Sequence, residues 1–246
     1  MSTARQKTLH AVLDHLEFLK ECGQTEMEVN MQELRNVNRP RTRNSPRAPA
    51  PGVHTDRLAE IAGRISNCTL CGLCKTRTNT VPGQGNPRPE LMFIGEGPGA
   101  DEDEQGLAFV GRAGQLLTRI IEAMGFTRDE VFIGNIVKCR PPGNRVPEPE
   151  EMEKCIPYLI EQISILKPKV IVCLGATAIK GLFGPDLPGI TKIRGQWRTY
   201  EGIDVMPTYH PAYLLRNPPA KKDVWEDMKV VLGRLGRPIP PPQKSA

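Results

Sequence analysis

Across its 246 residues the chain has no apolar run approaching the roughly 20 residues that a bilayer-spanning helix needs. It also lacks the apolar core of a secretory signal, since Met1-Ser2-Thr3-Ala4-Arg5-Gln6-Lys7 leads into charged sequence. The expectation is a soluble, intracellular protein with no membrane attachment. In that setting the seven cysteines argue for metal ligation or core thiols and against a disulfide framework. The common phosphate fingerprints are missing as well. Gly95-x-Gly97-x-Gly99 has no following Gly-Lys-Ser/Thr, is not G-x-G-x-x-G, and runs into Asp101-Glu102-Asp103-Glu104, which would repel phosphate. Charge excludes little, because a formal net +5 permits nucleic-acid binding without requiring it.

What the chain does have is a glycine-built loop at a strand end. Gly95-Glu96-Gly97-Pro98-Gly99 is followed by Glu102-Asp103, Gly106 and Phe109-Val110-Gly111-Arg112-Ala113-Gly114. The glycines let backbone approach a ligand closely, Glu96, Glu102 and Asp103 offer carboxylates, and Phe109 offers a flat apolar face. A planar, hydrogen-bonding molecule such as a nucleobase suits this loop.

Four apolar runs read as buried strands: Leu91 to Gly95, Val131 to Val137, Val170 to Gly175, and Val205 to Tyr209. Helical patterns follow at Arg112 to Met124, Pro149 to Leu166, Thr177 to Phe183 and Lys222 to Leu235. This alternation predicts an α/β fold of three α/β/α layers around a central four-stranded parallel sheet, with ligands outside the carboxyl ends of the strands. Ahead of it, Leu9, Val12, Leu13, Leu16 and Leu19 form a helical stripe. The division expected is a helical extension over 1–38, a basic Pro/Arg-rich linker over 39–54, a catalytic domain over 55–236 and a disordered tail over 237–246.

Cys68-x2-Cys71-x2-Cys74 and Cys139-x15-Cys155 supply enough thiolates from separated segments for either a structural zinc or an iron–sulfur cluster, which spacing alone does not distinguish. Cys173, inside an apolar strand, reads as a core thiol. After the last strand, His210-Pro211-Ala212-Tyr213-Leu214-Leu215-Arg216-Asn217-Pro218 places a histidine beside an apolar loop with an arginine. Leu214 and Leu215 either pack on the domain or act as a wedge in a base stack, with Arg216 on phosphate.

Taken together, Gly95-Glu-Gly-Pro-Gly with Glu102-Asp103 and Phe109-Val-Gly-Arg-Ala-Gly, then Asn135-Ile-Val-Lys-Cys-Arg-Pro-Pro-Gly-Asn-Arg145, then His210-Pro-Ala-Tyr-Leu-Leu-Arg-Asn-Pro218, closely resemble the iron–sulfur, family-four uracil-DNA glycosylases. The resemblance spans about residues 60 to 235. It implies a 4Fe-4S cluster on Cys68, Cys71, Cys139 and Cys155. Cys74 would then be spare, and whether Cys71 or Cys74 closes the site stays open.

It implies further that uracil is flipped out of single- or double-stranded DNA and cut from its sugar, leaving an abasic site. Asn135 would read uracil O4 and N3–H, Phe109 would stack on the ring, and backbone around Gly97 and Gly99 would close the pocket. His210 would donate to uracil O2, and Glu96 would position water or face the sugar cation. Glu102 would contact the substrate or hold the loop. Leu214, Leu215 and Arg216 would engage DNA. A monomer is expected, with the N-terminal helix open to a protein partner. The alternative is a non-catalytic, cluster-containing nucleic-acid-binding protein of the same fold.

Overall fold

The structure, a computed structural model, describes residues 52–240 together with Glu17, Lys20 and Glu21. The stripe predicted over 1–38, most of the basic linker, and residues 241–246 lie outside the described residues. The chain runs through α1 (Val53–Ser66), a 3-10 turn (Gly72–Lys75), β1 (Gln84–Gly85), β2 (Leu91–Gly95), α2 (Ala100–Gln105), α3 (Arg112–Ala123) and β3 (Phe132–Asn135). It continues through α4 (Pro149–Leu166), β4 (Val170–Leu174), α5 (Ala176–Phe183), α6 (Ile190–Ile193), β5 (Arg198–Tyr200), β6 (Ile203–Thr208), α7 (Pro211–Arg216) and α8 (Lys221–Arg234).

The central strands are apolar runs because both of their faces are covered, so side chains alternate between two cores instead of between core and water. Leu91, Phe93, Val170, Val172 and Met206 join α3 and α8 on one side. Met92, Ile94, Ile171, Cys173 and Val205 join α4 and α5 on the other. The four predicted strands are present as the parallel set β3-β2-β4-β6. The sheet has six strands, however, since β1 and β5 add antiparallel edges. Two- and three-residue edge strands, partly exposed, carry no apolar run from which to be read.

A second difference bears on the site. The segment after His210 is not a loop but the helix α7, with Pro211 in its first turn and the His210 imidazole accepting from the Ala212 amide at 3.1 Å. Helical periodicity then sends Leu214 inward, where it is 1% exposed. At the other terminus, Arg237 of the expected tail lies 4.1 Å over the Phe126 ring and pairs with Glu90.

Behind the β6 exit sits a buried polar knot. Asp227 of α8 is 3% exposed, accepts from Thr208 Oγ1 at 2.6 Å, and pairs with Arg194 at 2.8 Å. Burial pushes its carboxyl up to about 6 even though Thr208 and Arg194 pull it down. Removing the arginine strands that carboxyl. Arg194→Met is expected to lower unfolding free energy by about 3–5 kcal/mol, and Arg194→Met with Asp227→Leu to recover part of it, as measured by denaturant unfolding. A near-neutral single variant would show that the knot is not what fixes the end of β6.

Candidate active site

Three strand exits converge on one cleft of about 610 Å³. β2 delivers Glu96, β3 delivers Asn135, and β6 leads through Tyr209 to His210. In the sheet Gly95 and Asn135 are register partners, so the first loop and the amide necessarily face each other. This is the carboxyl-end crevice that parallel topology provides.

Asn135 is 1% exposed, and its Oδ1 has no hydrogen-bond partner in the protein. A buried acceptor left unpaired costs about 1–3 kcal/mol, so a ligand N–H placed there would recover that energy. Room for it exists because Gly95 has no side chain: a Cβ there would lie 2.5 Å from Asn135 Oδ1 and 2.5 Å from the Phe109 ring.

Phe109 is buried and holds a left-handed backbone, φ 53°, a conformation that bulky residues rarely adopt and that costs about 1–3 kcal/mol. Two features sustain it. Gly114 packs directly on the Phe109 backbone, leaving no space for a Cβ. Glu102 accepts from Val110 N and Gly111 N, each at 2.8 Å, and from Gly99 N at 3.1 Å. With both oxygens committed to backbone amides, Glu102 is placed as the organiser of the loop, although it also borders the cleft. Asp103 does similar work by accepting from Thr78 N and Asn79 N.

His210 stands across from Phe109, ring centroids 5.7 Å apart. Because Nδ1 accepts from the Ala212 amide, the neutral ring carries its proton on Nε2. Burial, helped by the positive charge of Arg216, lowers the imidazole to about 4. It is therefore neutral at physiological pH. Glu96 lines the same cleft and accepts from the Thr177 hydroxyl at the start of α5, while its carbonyl accepts from Val137 N at 3.1 Å. Gly97 and Gly99 also border the cleft, and a Cβ at Gly97 would meet the Val137 side chain.

The residues expected on DNA divide. Leu214 faces the core and is unavailable to a duplex, a correction that follows from the helical geometry of α7. Leu215 is half-buried against the same core, Arg216 is exposed at the cleft, and Tyr213, 37% exposed, borders it as well. Sequence reasoning missed Tyr213, Thr177 and the necessity of Gly95. A threonine just after a strand-end glycine was the available signal for Thr177, while only packing reveals the role of Gly95.

Away from the cleft, Cys68, Cys71, Cys74, Cys139 and Cys155 all line one pocket. Arg77 donates to Cys139 Sγ at 3.2 Å and to the Cys68 carbonyl at 2.9 Å, and the Lys138 amide donates to Cys155 Sγ at 3.3 Å. Burial raises the Cys155 thiol to about 11. Among the described residues no three Cys, His, Asp or Glu side chains gather as a single metal ion would require.

The chain is similar to known proteins over most of its described residues. A family model described as the uracil DNA glycosylase superfamily matches residues 82–229. A Type-4 uracil-DNA glycosylase of Sulfurisphaera tokodaii is 49% identical over 184 residues, covering 72% of this chain and 84% of that protein. One from Archaeoglobus fulgidus is 42% identical over 190 residues, covering 74% and 96% respectively. A Type-5 uracil-DNA glycosylase of Pyrobaculum aerophilum is 27% identical over 198 residues, covering 66% and 86%.

The two glycines under Phe109 give a direct test of the packing. Gly95→Ala is expected to cost about 1–3 kcal/mol by displacing Asn135 and Phe109, and Gly114→Ala to cost more, because it meets backbone that cannot rotate away. Thermal unfolding with side-chain amide NMR of Asn135 checks both. An unmoved Asn135 resonance in Gly95→Ala would contradict the close approach.

Proposed function

The chain belongs to the uracil DNA glycosylase superfamily, and from that premise we propose that it is a DNA-repair hydrolase that extrudes uracil from DNA and hydrolyses its N-glycosidic bond. The observation that carries this reading is the buried, unpartnered Oδ1 of Asn135 in a cleft shared with Phe109 and His210. A base must leave the stack before its sugar bond can be reached. Once extruded, uracil would donate N3–H to Asn135 Oδ1 and accept at O4 from the same amide. Cytosine offers an acceptor and a donor at those positions, so it would leave both pairs mismatched. Phe109 would support the ring face.

Breaking the bond from C1′ to N1 leaves electrons on uracil and positive charge on the sugar. His210 Nε2–H would donate to uracil O2 as that charge develops, and a neutral donor held by the Ala212 amide needs no reorganisation. Glu96, steadied by Thr177, would position water or face the sugar cation. On the rim, Arg216 would hold phosphate and the exposed face of α7, carrying Tyr213 beside Leu215, would fill the space vacated in a duplex. We propose that it acts as a monomer. No helix among the described residues is long and apolar enough to cross a membrane, and we place the activity inside the cell, where DNA is found.

The cysteine pocket fits a 4Fe-4S cluster, because it gathers thiols from separated segments beside Arg77 and Lys138. Cys68, Cys71, Cys139 and Cys155 would hold it, with Cys74 alongside. When bound, the cluster supplies a cross-link joining the 3-10 turn, the exit of β3 and α4. Arg77 and Lys138 N–H would donate to its sulfurs. The donor set is electron-rich and bordered by cations, as an anionic cluster requires. Cys155→Ser is expected to reduce iron per chain and visible absorbance together, while equimolar zinc in the purified protein would overturn the cluster.

The activity itself is tested by free uracil released from a uracil-containing oligonucleotide. None from the intact protein would favour a binding role over catalysis. His210→Ala is expected to slow the chemical step by about two to three orders of magnitude. Because the imidazole titrates near 4, catalysis should hold from neutral pH down to about 5 and fall below that as the ring gains a proton. An acid limb near 6.5 that vanishes in His210→Ala would contradict the neutral donor.

A further inference from the structure

Lys138 lies three residues beyond Asn135 and is 1% exposed, an enclosure that an ammonium tolerates only when its protons are taken up. Its Nζ donates to the Asn135 carbonyl at 2.9 Å and to Gln162 Oε1 at 2.9 Å, and Gln162 Nε2 donates in turn to the Pro82 carbonyl at 2.9 Å. Both acceptors are neutral; the opposite charge within reach is that of Cys155 in the cysteine pocket that Lys138 also lines, so the lysine stands between the base reader and the thiols.

The backbone on either side is equally committed. Ile136 N donates to Gly95 O at 3.0 Å and Val137 N to Glu96 O at 3.1 Å, which ties the segment to the base-reading loop. The next amide, that of Lys138, turns to Cys155 Sγ, and its carbonyl accepts from Val81 N at 2.8 Å. Four residues therefore span from the base cleft to the cysteine pocket. Without Lys138 Nζ, the Asn135 carbonyl would lose the side-chain donor that grips it from inside.

We propose that Lys138 is a positioning residue, gripping the Asn135 carbonyl from within the protein so that the base-reading amide is held in register with the cysteine pocket. The proposal rests on the assignment of Asn135 as the uracil reader. Lys138 touches no substrate and acts through Asn135. A methionine would fill similar volume while removing the grip on Asn135, the bond to Gln162 and the charge beside Cys155, so Gln162→Met and iron per chain serve as controls for the last two.

The test uses the full chain and two readouts, inhibition by free uracil and affinity for abasic-site DNA, each normalised to active sites. Lys138→Met is expected to weaken uracil inhibition by roughly tenfold or more, the scale of losing a hydrogen bond to a charged group. Affinity for abasic DNA and KM should stay within about twofold while kcat falls. Gln162→Met, which removes the other acceptor, should lower the melting temperature yet leave uracil inhibition nearly unchanged.

In an Asn135→Ala background, Lys138→Met should have no further effect on uracil inhibition, because the two act as one unit. Wild-type uracil inhibition in Lys138→Met, or full additivity with Asn135→Ala, would overturn the proposal. If the methionine variant does not fold, Lys138→Leu, which likewise has no donor, carries the same expectation, and the same two outcomes in that variant would overturn the proposal. An intact wild-type protein that neither releases uracil nor is inhibited by it would instead refute the uracil-reading role of Asn135.

Discussion

The site depends on one close approach, the meeting of Asn135, Phe109 and the bare backbone of Gly95. Parallel pairing brings Gly95 beside Asn135, and the missing Cβ lets an aromatic edge and a carboxamide oxygen occupy the same corner. Neither comes without cost. Phe109 holds a positive φ, and Asn135 keeps a buried oxygen without a partner. Such costs persist only where surrounding structure over-determines them, here through Gly114 and the three amides gathered by Glu102. The protein alone does not relieve them, whereas a planar ligand with an N–H relieves the second on arrival. Preorganisation in this cleft is thus visible as residual strain.

Much of the fold was legible because burial on both faces forces continuous apolar runs, and Leu91 to Gly95 or Val170 to Gly175 permit little else. The short edges β1 and β5 left no such mark, since two or three half-exposed residues need no apolar pattern. Glycines and the amide, imidazole and aromatic of the site stood out through their clustering at predicted strand ends. What did not stand out was the direction of each side chain. Leu214 and Leu215 are equivalent as letters, and only the helical turn after His210 decides that the first is core. Glu102 stood as either a substrate contact or a holder of the loop, and only the structure shows its two oxygens serving three backbone amides. Lys138 drew no reading from the sequence, because burial of a lysine is a property of the fold and not of its neighbours in sequence.

The acidic sequence after Gly99 seemed at odds with a DNA-binding cleft, and the structure resolves this by consuming part of its charge. Glu102 and Asp103 are each solvated by backbone N–H groups, which act as fixed partial positive charges. Asp101 and Glu104 remain exposed, and Glu96 lies deeper, held by Thr177. Arg112 and Arg216 stand exposed at the cleft, while Arg145 is tied to Glu151. Phosphate would meet guanidinium at the rim, and a sugar losing its base would meet carboxylate within. Those demands have opposite sign, and a site that separates them by depth satisfies both, with the imidazole kept neutral between them.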